Sequence, residues 1–203
     1  MMKVYSRRQL MSFKLPYDAE IEYLESTGRQ GINTKVVPYR GMEATIDFQF
    51  TSLHNEQCLF GCWAATVYEV TLYEGKWYFG SYSTSENTVP WLKNVADTKR
   101  HTISIDGNGS ISQDNVILKT SGVTDKTSTQ TVAIFGRTVR GNIQTTSMSS
   151  IRCYSFKLAK NKILVFDAIP VRVGNVGYMY DKVSGKLFGN AGTGSFILGP
   201  DKH

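Results

Sequence analysis

Ala44-Thr45-Ile46-Asp47-Phe48-Gln49-Phe50 is the stretch whose reading decides the fold. Its apolar residues occupy every second position, the period of a strand that buries one face and exposes the other. Working outward, the same alternation recurs in short segments over 21–24, 32–37, 57–61, 68–73, 76–81, 101–105, 111–118, 131–135, 149–158 and 163–170. Residues that accept the positive φ of tight turns stand between several of them: Glu74-Gly75, Asp106-Gly107-Asn108-Gly109 and Ser184-Gly185. No long stretch keeps a helical stripe, so helix is limited to a turn or two. Many short, evenly spaced strands indicate an all-β chain folded as a sandwich or barrel.

The 203 residues are 41% hydrophobic and 20% charged, a composition that builds a sizeable core and is far from that of a disordered chain. There is no internal repeat and no low-complexity linker, although Thr120 to Thr131 reads as a long Ser/Thr-rich loop. We therefore expect one domain over 17–200, preceded by an arm over 1–16. The longest apolar runs, such as Ile163 to Phe166, fall far short of the roughly 20 residues of a membrane-spanning helix, so no span is expected.

Twenty-three Lys and Arg against 17 Asp and Glu give a formal charge of +6, which permits an acidic partner without arguing for one. Charge is uneven: from Lys126 to Phe166 there are seven basic residues and no acid. Two readings stay open, a shared basic surface or basic residues decorating the solvent sides of several strands. Nucleic-acid recognition needs basic residues interleaved with exposed aromatics on one sheet. This stretch offers only Phe135, Tyr154, Phe156 and Phe166, and a period of two puts Tyr154 and Phe156 on one face, which we assign to the core. Nucleic acid is not an expected partner.

In the arm, Lys3, Arg7, Arg8 and Lys14 meet no acid until Asp18. Ser6-Arg7-Arg8 opens like a twin-arginine export leader, but Ser12, Lys14, Pro16 and Asp18 break the apolar run such a leader needs. We expect no signal peptide here. Instead Arg7, Arg8 and Lys14 read as an assembly tail that orders against a neighbouring subunit, in a homo-oligomer or a larger particle. Cys58, Cys62 and Cys153 form no metal-type pair and are odd in number, which suggests reduced thiols filling the core. Four apart in one strand, Cys58 and Cys62 should share a face.

Catalytic patterns are missing. Retaining glycosidases need two carboxylates about 5 Å apart, which a Glu-x-Asp-x-Glu strand supplies. Here Glu43 and Asp47 flank Thr45, Glu69 and Glu74 straddle a strand and a turn, and Glu20 and Glu22 lie beside Glu25 in an edge-like segment with no aromatic subsite nearby. The histidines His54, His101 and His203 accompany no nucleophile elbow, and Gly192-Thr193-Gly194-Ser195 lacks both the flanks of an elbow and the lysine of a P-loop. It reads as a tight loop into a last strand over 196–198. Asp106 to Ser110 imitates the start of a calcium loop but has Ile111 where the turn glycine belongs and Ile117 where the bidentate glutamate belongs, so a hairpin is the better account. We expect a non-enzyme without cofactor; a structural calcium bound by loops stays open, its ligands unknown.

Two longer segments carry a resemblance. One runs from Ile21 through Glu22-Tyr23-Leu24-Glu25-Ser26-Thr27-Gly28 to Thr34. The other runs from Leu164 through Asp167-Ala168-Ile169-Pro170-Val171-Arg172 and then Tyr180-Asp181-Lys182-Val183-Ser184-Gly185-Lys186-Leu187-Phe188-Gly189-Asn190-Ala191-Gly192-Thr193-Gly194-Ser195-Phe196. Together they resemble the signature of a family of laminin-G-like, concanavalin-A-like modules of gut bacteria and their phages. One departure is Asn33, where the family pattern has Asp. The resemblance implies a two-sheet antiparallel jelly roll whose first and last strands lie near each other. It further implies a structural or adhesion role, as a virion-associated phage protein in the tail, fibre or capsid surface, bound to other virion subunits or to host glycans. The alternative is a carbohydrate-binding domain on a bacterial cell surface.

The richest store of ligand-contacting residues is Phe60, Trp63, Tyr68, Tyr73, Trp77, Tyr78, Phe79, Tyr82 and Trp91, nine of the chain's 24 aromatics. Aromatic faces stack on sugar rings, and Trp and Tyr add a polar tip. Alternation sends Trp77 and Phe79 to the interior, and Tyr78 and Tyr82 to the other face, while Trp91 follows Pro90 in a loop. The candidate glycan contacts are therefore Trp63, Tyr78, Tyr82 and Trp91.

Overall fold

A computed structural model describes residues 14–64, 67–73, 76–83, 87–90, 97–120, 123 and 128–203. In chain order the strands are β1 (Ala19–Glu20), β2 (Leu24–Glu25), β3 (Ile32–Asn33), β4 (Met42–Phe50), β5 (Gln57–Trp63), β6 (Val67–Tyr73), β7 (Lys76–Ser83), β8 (Asn87–Pro90), β9 (Arg100–Ile105) and β10 (Ser110–Gln113). They continue as β11 (Val116–Thr120), β12 (Ala133–Ile134), β13 (Arg137–Val139), β14 (Asn142–Ile143), β15 (Ile151–Lys160), β16 (Ile163–Val173), β17 (Val176–Asp181), β18 (Lys186–Phe188) and β19 (Ile197–Leu198). Among the described residues the helical content is one 3-10 turn, Thr145–Ser147.

These strands form two sheets of a jelly-roll sandwich. The larger runs β11-β10-β9-β4-β15-β16-β17-β18, with β1 on β16 and β2 between β15 and β19; the smaller runs β14-β13-β5-β6-β7-β8, with β12 joining β3 and β5. The described ladder pairings are antiparallel except β13 on β5, which is parallel. β4 shows why the sheets pack: Met42, Ala44, Ile46, Phe48 and Phe50 are buried and the residues between them are not. Phe48 and Phe50 reach Trp77 of the other sheet at 6.3 and 6.2 Å between ring centroids, and Phe60 reaches Phe156 at 5.2 Å. Aromatic pairs spanning two sheets add their own attraction to the burial of their large apolar surface.

The early strand β2 and the last strand β19 are clasped. β2 pairs with β19, Leu24 opposite Leu198. The Asn190 side-chain carbonyl accepts from the amides of Gly31 and Gly192, and the amides of Ala191 and Thr193 donate to the carbonyls of Gly31 and Arg29 at 2.7 and 2.8 Å. A Cβ at Gly192 would sit 2.3 Å from the Arg29 carbonyl oxygen, so only glycine fits this approach. Nearby, the Asp181 carboxylate accepts from the amides of Asp167, Val183 and Ser184 and from the Ser184 hydroxyl, which fixes the turn between β17 and β18.

Three sequence expectations are corrected. Residues 111–118 are not one strand: Asp114 and Asn115 take φ of 49° and 67° and fold the stretch into the β10–β11 hairpin, a conformation that Asp and Asn tolerate better than most side chains. Cys58 and Cys62 do not share a face. Cys58 lies opposite Thr71 and Cys62 opposite Tyr68, because a bulge at Leu59 inserts a residue between Cys58 and Phe60 and reverses the alternation. Likewise Tyr154 and Phe156 part company at a bulge between Cys153 and Ser155: Phe156 enters the core, whereas Tyr154 lies outside, against Tyr23 and Arg100. The basic residues of the acid-free stretch accordingly divide, Arg137 going to the smaller sheet and Arg152, Lys157 and Lys160 to the larger.

Candidate functional site

The outer face of the smaller sheet carries a cleft of about 280 Å³ lined by Glu56, Trp63, Thr71, Tyr73, Tyr78 and Arg137. Strand register explains how these residues meet. Arg137 of β13 lies beside Gly61 of β5, Gly61 lies beside Glu69 of β6, and Glu69 lies beside Gly80 of β7. The row thus reads Arg-Gly-Glu-Gly, and with no side chain at Gly61 the guanidinium crosses above it to the carboxylate. A Cβ on Gly61 would stand 2.2 Å from the Glu69 Cβ. The next row sets Cys58, Thr71 and Tyr78 side by side.

Arg137 is held on three sides. Its Nη1 donates to Glu69 Oε1 at 2.9 Å, its Nη2 to Glu56 Oε1 at 3.0 Å and its Nε to Gln144 Oε1 at 2.6 Å. Its fourth side is the Trp63 ring, 4.2 Å from the guanidinium carbon. The Arg137 side chain is 5% exposed and that of Glu69 0%, so this ion pair lies out of water under an indole. Charges cannot be buried there singly; each makes the other tolerable, and the extra hydrogen bonds fix the geometry. The same bulge at Leu59 sets the parity of β5 so that Trp63 faces the cleft.

Glu56 is the exposed member. Its Oε1 accepts from Arg137 and from the Ser147 hydroxyl at 2.7 Å, its side chain stays 36% exposed, and its backbone φ is 59°, a left-handed conformation that costs a non-glycine residue about 1–2 kcal/mol. Tyr78 packs edge-on against Tyr73 at 5.3 Å between ring centroids, closing the far wall. Trp63 is 39% exposed and Tyr78 partly so, leaving an aromatic surface open to solvent at each end of a polar floor.

The thiols have no place in this chemistry. Burial pushes Cys62 up to about 12 and raises Cys58 well above the ordinary thiol range, with the neighbouring Glu69 carboxylate adding to the latter shift. Both stay protonated at neutral pH, as core thiols do. Among the described residues no three His, Cys, Asp or Glu side chains gather as a metal would require. The Asp106 carboxylate instead accepts from the amides of Asn108 and Ser110 and serves the β9–β10 hairpin.

The structure therefore brings Trp63 and Tyr78 to one cleft, with Trp77 and Phe79 in the core beneath. Trp91 and the side chain of Tyr82 lie outside the described residues, as do Arg7 and Arg8; Lys14 is exposed. Reading the sequence overlooked Arg137 and Glu56 as site residues and weighed Glu69 only as a carboxylate of a catalytic pair. The one available sign was Arg137 standing among apolar and small residues, Phe135-Gly136-Arg137-Thr138-Val139, where a cation needs a buried partner.

No family model and no curated protein matches the chain. Solved structures do: it is similar to a candidate carbohydrate-binding protein from Bacteroides ovatus, with a TM-score of 0.60 and 9% identity over 91% of this chain and 61% of that one. At that identity the likeness shows the fold. The chain spans about three-fifths of that protein's length.

Proposed function

We propose that this jelly-roll module binds a carbohydrate in the cleft between Trp63 and Tyr78, without altering it chemically. The observation that carries the reading is an open, aromatic-walled cleft on a rigid floor: the buried Arg137–Glu69 pair locks the sheet surface and the indole above it. Sugar rings present apolar C–H faces and a rim of hydroxyls, which suit aromatic walls and a carboxylate acceptor respectively. A structural neighbour described as a candidate carbohydrate-binding protein supports the same reading. Of the two expectations drawn from the resemblance, this favours the carbohydrate-binding domain of a bacterial surface system; a place on a phage particle has the resemblance alone behind it. A binding role without hydrolysis is supported by the use of Glu56 and the buried Glu69 as acceptors for Arg137, and by the absence of a second carboxylate among the described residues lining the cleft. The test is a fluorescence titration of the protein against a panel of polysaccharides, repeated with Trp63→Ala and Tyr78→Ala. Saturable binding that weakens at least tenfold in both variants is expected; binding indifferent to both would overturn the assignment.

A further inference from the structure

We infer that the cleft selects neutral glycans and rejects those bearing carboxylate or sulfate groups, an inference that rests on the carbohydrate reading above. The argument is one of charge and of which atoms are left to a ligand. Among the described residues lining the cleft, Arg137 is the one cation, and little of it is offered to a ligand: three of its five N–H groups donate to protein acceptors, the indole of Trp63 covers its face, and its side chain is 5% exposed. An acidic sugar arriving there finds a guanidinium that is almost wholly buried and already paired. The carboxylate it meets among the described lining residues is Glu56, 36% exposed, while the charge of Arg137 is already answered by the buried Glu69 beneath.

The second Glu56 oxygen is the feature a neutral sugar would use. Oε1 is occupied by Arg137 and Ser147, and Glu56 lines the cleft with its side chain 36% exposed, so Oε2 is the acceptor we assign to a ligand. A hydroxyl donates to it; a carboxylate or sulfate ester is repelled by it. Thr71, whose hydroxyl donates to Glu69 Oε1 at 3.1 Å and keeps an acceptor lone pair, completes with Tyr73 and Tyr78 a lining that adds no further charge. The Glu56 side chain is also held in place, tied by two donors. Repulsion from one partly exposed charge at contact range is worth about a tenfold loss in affinity and fades as salt screens it.

The experiment uses a neutral glucan that binds the protein and the same glucan oxidised to the carboxylate at C6, each titrated at low salt into the wild type, Glu56→Gln and Tyr78→Ala. The neutral polymer is expected to bind about tenfold more tightly than its carboxylated form. Glu56→Gln should shrink that gap to threefold or less, chiefly by strengthening the carboxylated ligand, since glutamine keeps the acceptor and removes the charge. Equal or tighter binding of the carboxylated polymer, with Tyr78→Ala still abolishing it, would overturn the neutral-ligand inference while the cleft assignment stands. Binding of either polymer unaffected by Tyr78→Ala would remove the cleft assignment, and the inference with it.

Discussion

The two outer faces of the sandwich are built from the same parts and do opposite things with them. On the larger sheet Arg100 lies 3.8 Å over the Tyr154 ring and Arg152 4.4 Å over Tyr23, and each arginine has its carboxylate, Asp47 and Glu25. On the smaller sheet Arg137 lies over Trp63 with Glu69 and Glu56. The difference is water. Arg100 and Arg152 keep 54% and 36% of their side chains exposed, whereas Arg137 keeps 5%. On the larger sheet the exposed guanidinium groups each cover one face of a tyrosine ring, and Arg100 and Tyr154 together line a hollow of about 310 Å³. On the smaller sheet the guanidinium lies underneath, drawn down by Gly61, and the aromatic is left on top. How deep the cation sits decides whether it competes with a ligand for the ring or supports the ring from below.

That contrast can be broken most forcefully at the buried pair. Arg137→Met should cost about 3–5 kcal/mol in urea unfolding, because it strands the Glu69 carboxylate in the sheet, whereas Arg100→Met should cost under about 1 kcal/mol. Similar losses at the two positions would mean that Arg137 is no more than another surface arginine. Next comes Gly61→Ala, whose methyl would collide with Glu69; a destabilisation of about 1–3 kcal/mol is expected, together with loss of the Trp63 environment in near-ultraviolet circular dichroism. An unperturbed spectrum would show that the crossing of the guanidinium over Gly61 is not what seats the indole.

Much of the sandwich was legible in the sequence because burial of one face writes a period of two, and β4 follows it without a break. The inward Trp77 and the outward Tyr78 were readable from the same rule. What hid was whatever departs from the period. The extra residue at Leu59 and the one at Tyr154 each flip every position beyond them, and nothing in their side chains announces it. The Asp114-Asn115 turn was overlooked because its flanks, Ser112 and Gln113 before and Val116 and Ile117 after, continue a plausible strand. The site was half legible for a related reason: aromatics cluster locally, but the Arg137–Glu69 pair is 68 residues apart in sequence, and only sheet register brings it together.

Smaller effects sharpen the comparison on the larger sheet. His101 sits between Asp114, with Nδ1 at 2.7 Å, and Asp97, with Nε2 at 3.1 Å. Burial alone would lower its pKa, but the two carboxylates outweigh that and raise it. A raised folded pKa makes the contribution fully present below the unfolded value of about 6.5 and lost as pH climbs through the folded one. Stability of the wild type relative to His101→Gln should therefore fall between pH 6 and pH 8 in paired urea titrations. A flat difference would show that the two carboxylates do not hold the imidazolium. Smallest of all, Arg152→Met should shift stability by about 0.5 kcal/mol and lose even that at high salt, as exposed pairs do.

The most direct test of the central claim sets the two faces against each other. Isothermal titration with a polysaccharide that binds the wild type would be run on Tyr78→Ala and Tyr154→Ala, two tyrosine truncations on opposite sides of one sandwich. Binding on the smaller sheet predicts an affinity reduced at least tenfold by Tyr78→Ala and unchanged by Tyr154→Ala. The reverse pattern, or equal losses from both, would contradict it.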